Sequence, residues 1–304
     1  MGTSWQVSVV LPSAADGPAL QQDIAGILER IEASMSHFRK DSELCRFSHL
    51  AAGDRLSLSD EFAWVLRGAL RVASASDGAF DPTLGLQIEA WGFGARPRAG
   101  DAGFCLPPAA VPPGAAWQAL LLDEDNGLRQ PGGVNLNLSA IAKGFAVDAV
   151  SDWLSRKGYA HHLTEVGGEL KGVGMKPDLQ PWWVALELPA PDCPLPATRV
   201  ALHGLAVATS GDYRRRYMAN GRYHQHTLDP RNGAPVAHSL ASVTVVHEEC
   251  MMADAWATAI MVLGADAGLR LAQAQDLCAL LQWRDARGVW REATSPAFST
   301  LLKT

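Results

Sequence analysis

Asp254 and Thr258 stand four residues apart in a stretch, residues 251–263, that reads as helix, so both side chains project from one face. A carboxylate and a hydroxyl together offer hard oxygen ligands, which suit Mg²⁺ better than zinc. The same pair also suits a solvated helix face, with the Thr258 hydroxyl bonded back to its own helix. A second candidate is Asn137-Leu138-Ser139-Ala140-Ile141-Ala142-Lys143-Gly144, which couples a strand end to a helix start. Backbone N–H groups at that helix start, with the Lys143 ammonium, would receive a phosphate. The P-loop spacing is missing, and an ordinary capped helix with an exposed lysine accounts for the same residues.

Three turns carry further polar groups. In Glu165-Val166-Gly167-Gly168-Glu169 the paired glycines allow positive φ, either for close approach to a ligand or for a plain tight turn. Thr209-Ser210-Gly211-Asp212-Tyr213 is a similar polar turn after an apolar run. In His226-Thr227-Leu228-Asp229-Pro230-Arg231-Asn232-Gly233 the histidine could act as a general base or a phosphate partner, or could be structural. His224 would point to the same side if this segment is a strand. Trp91-Gly92-Phe93-Gly94 offers rings for stacking on a flat ligand or for the core.

Periodicity says what must hold these groups. Leu20, Ile24, Ile27, Leu28 and Ile31 recur at helical spacing, and a second helix runs from a Ser59 or Asp60 cap to Gly78. A third starts after Ser139 and ends at Gly158, with Ile141, Phe145 and Trp153 on its apolar side, and the fourth is the segment bearing Asp254. Strand-like runs lie near residues 5–11, 120–123, 162–166, 182–188, 205–209, 241–246 and 278–283. Asp285-Ala286-Arg287-Gly288 reads as the turn of a terminal hairpin. The Pro/Gly-rich residues 94–114 read as a surface excursion. Helices and strands neither alternate nor segregate, which predicts an α+β fold, with mixed sheets and packed helices, over a doubly wound α/β one.

Composition narrows the function. The 304 residues are 48% hydrophobic and 19% charged, enough for a sizeable core in one large domain or two closely packed ones. A net charge of −6 without a dense Lys/Arg run argues against a nucleic-acid partner. Five scattered cysteines, with no CxxC pair, predict reduced buried thiols rather than disulfides or a zinc site. The first basic residue is Arg30, so the N-terminus reads as a strand and not as a signal peptide. The longest apolar stretch, near residues 255–265, is shorter than the roughly 20 residues of a membrane helix. The expected location is cytoplasmic for the chain as written, or periplasmic if a leader has been trimmed.

In order along the chain, these segments resemble the ApbE family of FAD:protein FMN transferases. The matching pieces begin with Met1-Gly2-Thr3, Met35-Ser36-His37-Phe38-Arg39-Lys40-Asp41-Ser42-Glu43 and Gly78-Ala79-Phe80-Asp81-Pro82-Thr83-Leu84-Gly85. They continue through Trp91-Gly92-Phe93-Gly94 and residues 139–148, 165–169, 208–213, 226–233 and 252–258. The resemblance implies one ApbE-like, T-fold-like domain over residues 1–304. It implies FAD as substrate, Mg²⁺ on its pyrophosphate, and transfer of FMN to a Thr or Ser hydroxyl of an acceptor protein with release of AMP.

Carried over position by position, Asp254 and Thr258 match the side-chain Mg²⁺ ligands, with the main-chain oxygen of Ala140 as a third. Met1, Phe38, Ala79, Phe80, Asp81, Asn137, Lys143 and Leu228 fall where the family lines its FAD pocket, and His226 matches a histidine near the reaction centre. Two positions depart from the family pattern: Asn137 stands where Asp is common, and Ser48 where Asn is usual. Those departures keep two other readings open, a non-catalytic FAD-binding protein and an FAD pyrophosphatase giving FMN and AMP.

Overall fold

The computed structural model describes residues 2–11, 17–95, 100–101, 103–107, 117–213 and 215–303. They group into two compact units, one of Met1–Ile31, Ala140–Gly211 and Ser239–Thr304, the other of Glu32–Ser139 and Asp212–His238.

The first unit is built on a seven-stranded sheet in the order Trp5–Val9, His162–Val166, Glu169–Val173, Leu205–Gly211, Leu240–His247, Cys278–Arg284 and Trp290–Thr294. Every neighbouring pair is antiparallel. The sheet is open, and among the described residues no strand closes it into a barrel. Its Leu240–His247 strand is buried at every position but the last, which is why its sequence is nearly continuous in apolar and small residues. On one side, Val207, Val246 and Leu280 pack with Trp182, Leu202 and Phe298. The expected terminal hairpin forms, with the Gly288 N–H donating to the Asp285 carbonyl at 2.8 Å.

The Cys250–Leu263 helix packs on strands Leu205–Gly211 and Leu240–His247 and on the Ala142–Arg156 helix. It is buried almost all round, the pattern of a core helix rather than an amphipathic one. Its preceding residue, Glu249, makes no side-chain cap. Asp148 supplies the cap from the neighbouring helix: its two carboxylate oxygens accept from Cys250 N at 3.0 Å and Met251 N at 2.8 Å. Lys171 Nζ pairs with the same carboxylate at 2.9 Å.

In the second unit the Asp60–Ala75 helix starts at Ser59, whose Oγ accepts from Phe62 N. Short helices Glu43–Ser48 and Gly85–Ala90 accompany it, with a three-stranded antiparallel sheet of Arg55–Ser57, Gly127–Arg129 and Leu121–Leu122 in that order. Two ribbons complete it, Arg216–Ala219 with Arg222–Gln225 and Leu228–Asp229 with Ala234–Pro235.

The α+β expectation is met, and the structure adds several elements. Glu169–Val173, foreseen only as the end of a turn, is a central strand. The cysteine expectation needs correction. Among the described residues all five thiols are free, but only Cys193 and Cys250 are buried, and Cys105 is exposed. Much of the excursion at residues 94–114 lies outside the described residues. No described helix is long and apolar enough to cross a membrane.

Candidate active site

In the first unit, Asp254 and Thr258 lie one turn apart on the Cys250–Leu263 helix. Asp254 is 4% exposed, and its Oδ2 accepts from Gly144 N at 3.2 Å. Thr258 is partly exposed, with its Oγ1 3.1 Å from the hydroxyl of Ser210 near the end of the Leu205–Gly211 strand. In a regular helix the Gly144 N–H would donate to the carbonyl of residue 140. Its donation to Asp254 leaves the Ala140 carbonyl outside that ladder, accepting no hydrogen bond among the described residues. A carboxylate and a hydroxyl from the Cys250–Leu263 helix and a carbonyl oxygen from the turn leading into the Ala142–Arg156 helix thus become available.

Lys143, at the start of the Ala142–Arg156 helix, points its ammonium between two carboxylates. It bonds Glu169 Oε1 and lies 3.8 Å from Asp254 Oδ1. The Gly167 turn passes directly over it. Gly167 has φ +66°, which favours glycine, and a Cβ there would sit tightly at 3.0 Å from Thr3 and 3.3 Å from Lys143 Cδ. Burial pushes the Glu169 carboxyl up to about 7, against the opposing pull of Lys143. Burial likewise raises Asp254, with Lys143 and the Gly144 N–H opposing it. For Lys143 burial acts downward, but Asp254 and Glu169 outweigh it and hold the ammonium protonated. With both carboxylates ionised Lys143, Glu169 and Asp254 together carry one net negative charge, and Glu169 Oε2 is a buried acceptor with no hydrogen-bond partner among the described residues.

This donor set fits a small hard cation. Among the described residues no three His, Cys, Asp or Glu side chains gather into a metal cage. Mg²⁺ does not need one, since it is commonly held by one or two carboxylates together with waters and substrate phosphates. Zinc would want nitrogen or sulfur ligands, and none of the three groups supplies them.

The second unit holds the other predicted residues. Asp81 Oδ1 accepts from both the hydroxyl and the N–H of Thr83, at 2.6 and 2.8 Å. Burial nevertheless raises its carboxyl above the usual range. Asn137 is 8% exposed and joined to this segment, its N–H donating to the Pro82 carbonyl at 2.8 Å. Its side-chain Oδ1 accepts from Ser139 N at 3.0 Å, a bond that an aspartate would also make. Ser48, the other departure, bonds its hydroxyl back to the Leu44 carbonyl at 3.1 Å within its short helix.

Phe38 lies against His37, ring centroids 3.9 Å apart, and His37 Nδ1 is 3.4 Å from the Ser139 hydroxyl. Ala79 and Phe80 are buried just after Gly78, with Phe80 N donating to Ser76 Oγ at 3.1 Å. His226 Nδ1 is 3.2 Å from the Arg215 carbonyl, and the ring meets Phe93 edge-on at 6.3 Å. The tautomer that donates from Nδ1 to Arg215 keeps the lone pair on Nε2, the form a general base needs. Leu228 is 3% exposed and packs with Leu84, Trp91 and Phe93.

Residues 1–281 match the model of the ApbE family. The chain belongs to that family. It is 32% identical over 312 residues to the FAD:protein FMN transferase of Vibrio cholerae, covering 99% of this chain and 90% of the relative. Its identity to the Haemophilus influenzae FAD:protein FMN transferase is 33% over 318 residues, covering 100% of this chain and 90% of the relative. Among solved structures it superposes on the flavin transferase ApbE from Vibrio cholerae with a TM-score of 0.87 at 31% identity, covering 99% and 96% of the two chains. The apo flavinyl transferase ApbE of Pseudomonas stutzeri gives 0.84 at 32% identity, with 99% and 97% covered.

Within this ApbE fold, hydrogen bonds and ion contacts gather Lys143, Gly144, Asp254 and Glu169 in the first unit, and Thr258 lies one turn further along the helix. In the second they tie Asp81, Asn137, Ser139 and His37 into one loop cluster. Met1 lies outside the described residues. Trp91 and Phe93 are 4% and 9% exposed and pack with Leu84 and Leu228. The sequence reading gives Glu169, Asp148 and Ser210 no role, although all three stand in segments it singles out. The available signal for Glu169 was an acidic residue directly after two glycines at a strand start, and for Asp148 only its place at the end of the matching segment 139–148.

Proposed function

We propose that this chain is an enzyme that transfers the FMN portion of FAD onto a Thr or Ser hydroxyl of an acceptor flavoprotein, depends on Mg²⁺ and releases AMP. The observation that carries this reading is the oxygen set of Asp254, Thr258 and Ala140 beside the Lys143 ammonium, on a chain about a third identical to named FAD:protein FMN transferases. In the reaction, the hydroxyl oxygen bonds to the FMN phosphorus while the pyrophosphate P–O bond to AMP breaks, and the hydroxyl proton passes to His226. Mg²⁺, held by Asp254, Thr258 and the Ala140 carbonyl, would neutralise charge on the pyrophosphate. Lys143 is assigned a phosphate contact, and Met1, Phe38, Ala79, Phe80, Asp81, Asn137 and Leu228 the rest of the FAD lining. Residues 1–304 are assigned to one functional domain.

The test is acceptor labelling by mass spectrometry, with and without Mg²⁺ and with Asp254→Ala. The expected result is an acceptor gaining the FMN mass only with Mg²⁺ and only with the unaltered protein. AMP released equally well without acceptor would make the protein a pyrophosphatase. FAD bound tightly with no AMP formed, and unchanged in Asp254→Ala, would make it a flavin carrier.

A further inference from the structure

We propose that Glu169 is a positioning residue for the metal-ligating carboxylate: it holds the Lys143 ammonium to itself and so keeps Asp254 Oδ1 open to Mg²⁺. The inference rests on the assignment of Asp254 as a Mg²⁺ ligand. Lys143 Nζ has two anionic neighbours and has closed on only one, being bonded to Glu169 and 3.8 Å from Asp254 Oδ1. That longer separation is beyond hydrogen-bond reach.

Glu169 can hold the lysine because it is anchored. It opens the Glu169–Val173 strand, directly opposite Val166, and the turn leading to it is fixed by Gly168 N donating to Glu165 Oε1 at 2.9 Å. Its side chain is 3% exposed, while that of Lys143 is 30% exposed, so the glutamate is the more enclosed member of the pair. A buried ion pair contributes little net stability compared with apolar residues of the same shape, so stability alone gives little reason for a glutamate here.

Charge counting gives the consequence. Lys143, Glu169 and Asp254 together carry one net negative charge when ionised, and without the Glu169 charge they carry none. Asp254 then becomes the sole carboxylate available to Lys143 among the described residues. In a weakly screened interior the ammonium would close on it and occupy the place a cation needs.

The experiment is calorimetric titration of Mg²⁺ into the full-length protein at pH 8 without FAD, since Lys143 is itself assigned a contact to the FAD phosphates, supported by the Mg²⁺-dependent rise in melting temperature. Glu169→Gln should weaken Mg²⁺ binding by about 10- to 100-fold. Lys143→Met/Glu169→Gln should recover most of that loss, because no ammonium remains to compete, and Glu169→Asp should fall between wild type and Glu169→Gln. Far-UV circular dichroism checks folding. If Glu169→Gln does not fold, Lys143→Met alone is decisive, since it should bind Mg²⁺ at least as tightly as wild type.

Wild-type affinity in Glu169→Gln, a double variant no better than Glu169→Gln, or weakened binding in Lys143→Met would each overturn the proposal. Unchanged Mg²⁺ binding in Asp254→Ala, or a wild-type protein with no Mg²⁺ response, would instead remove the metal assignment beneath it.

Discussion

The Gly144 amide donates to Asp254 Oδ2 at 3.2 Å, across the contact between the Ala142–Arg156 and Cys250–Leu263 helices. That single bond orients the carboxylate and withdraws the amide from its own helix, leaving the Ala140 carbonyl outside the ladder. It forms because the two backbones approach so closely at Gly144. A Cβ there would lie 2.3 Å from the Cys250 carbonyl oxygen and 2.7 Å from Met251 Cα.

Gly144→Ala should therefore destabilise the protein by about 2 kcal/mol or more, although alanine is the better helix former by about 1 kcal/mol. Urea denaturation measures it. A stabilised variant would mean that the helices do not meet as closely as described.

Asp148→Ala removes the cap from the helix that bears Asp254 and leaves Lys171 without its partner. The expected loss is about 2–4 kcal/mol by urea unfolding. Asp148→Asn can still accept from one amide and should lose less. Equal losses in the two variants would argue against a capping role.

His162 gives a pH dependence away from the proposed metal site. It is fully buried, with Nε2 2.9 Å from the Ser151 hydroxyl and Nδ1 2.9 Å from the Tyr159 carbonyl. Burial lowers its pKa below the ordinary 6.5, and nearby Lys171 acts in the same direction. The folded state thus prefers neutral imidazole. That contribution to stability is present above the ordinary pKa and is lost as pH falls below it through the folded-state value. Wild type should lose stability relative to His162→Gln between pH 6.5 and 5, read from denaturation midpoints at each pH. Parallel pH profiles would contradict the assignment.

His226→Ala should slow FMN transfer by about 10²–10⁴-fold while FAD still binds, because the side chain is assigned the hydroxyl proton rather than the flavin. Single-turnover labelling separates the two effects. An unchanged rate would move the base elsewhere, and lost FAD binding would make His226 a pocket residue.

Much of this molecule was legible before its structure. Leu20, Ile24, Ile27, Leu28 and Ile31 announced their helix and are all buried in it. Ser59 announced the start of the next one. The Asp254–Thr258 spacing placed both groups on one face, and the ordered motifs led to the ApbE family. Short strands such as Arg55–Ser57 and Gly127–Arg129 carried too little periodicity to read.

The sequence by itself determined what local covalent geometry controls: helix faces, caps within one segment, and which chemical groups are on hand. Tertiary structure alone decided which groups meet and what state they hold. Asp254 is oriented by an amide 110 residues away in the chain, and the helix that bears it is capped by Asp148, 102 residues before its first turn. Glu169 became part of the cluster only through burial beside Lys143. The reason is physical: i, i+4 spacing follows from 3.6 residues per turn, whereas burial and charge balance depend on neighbours that only the folded chain supplies.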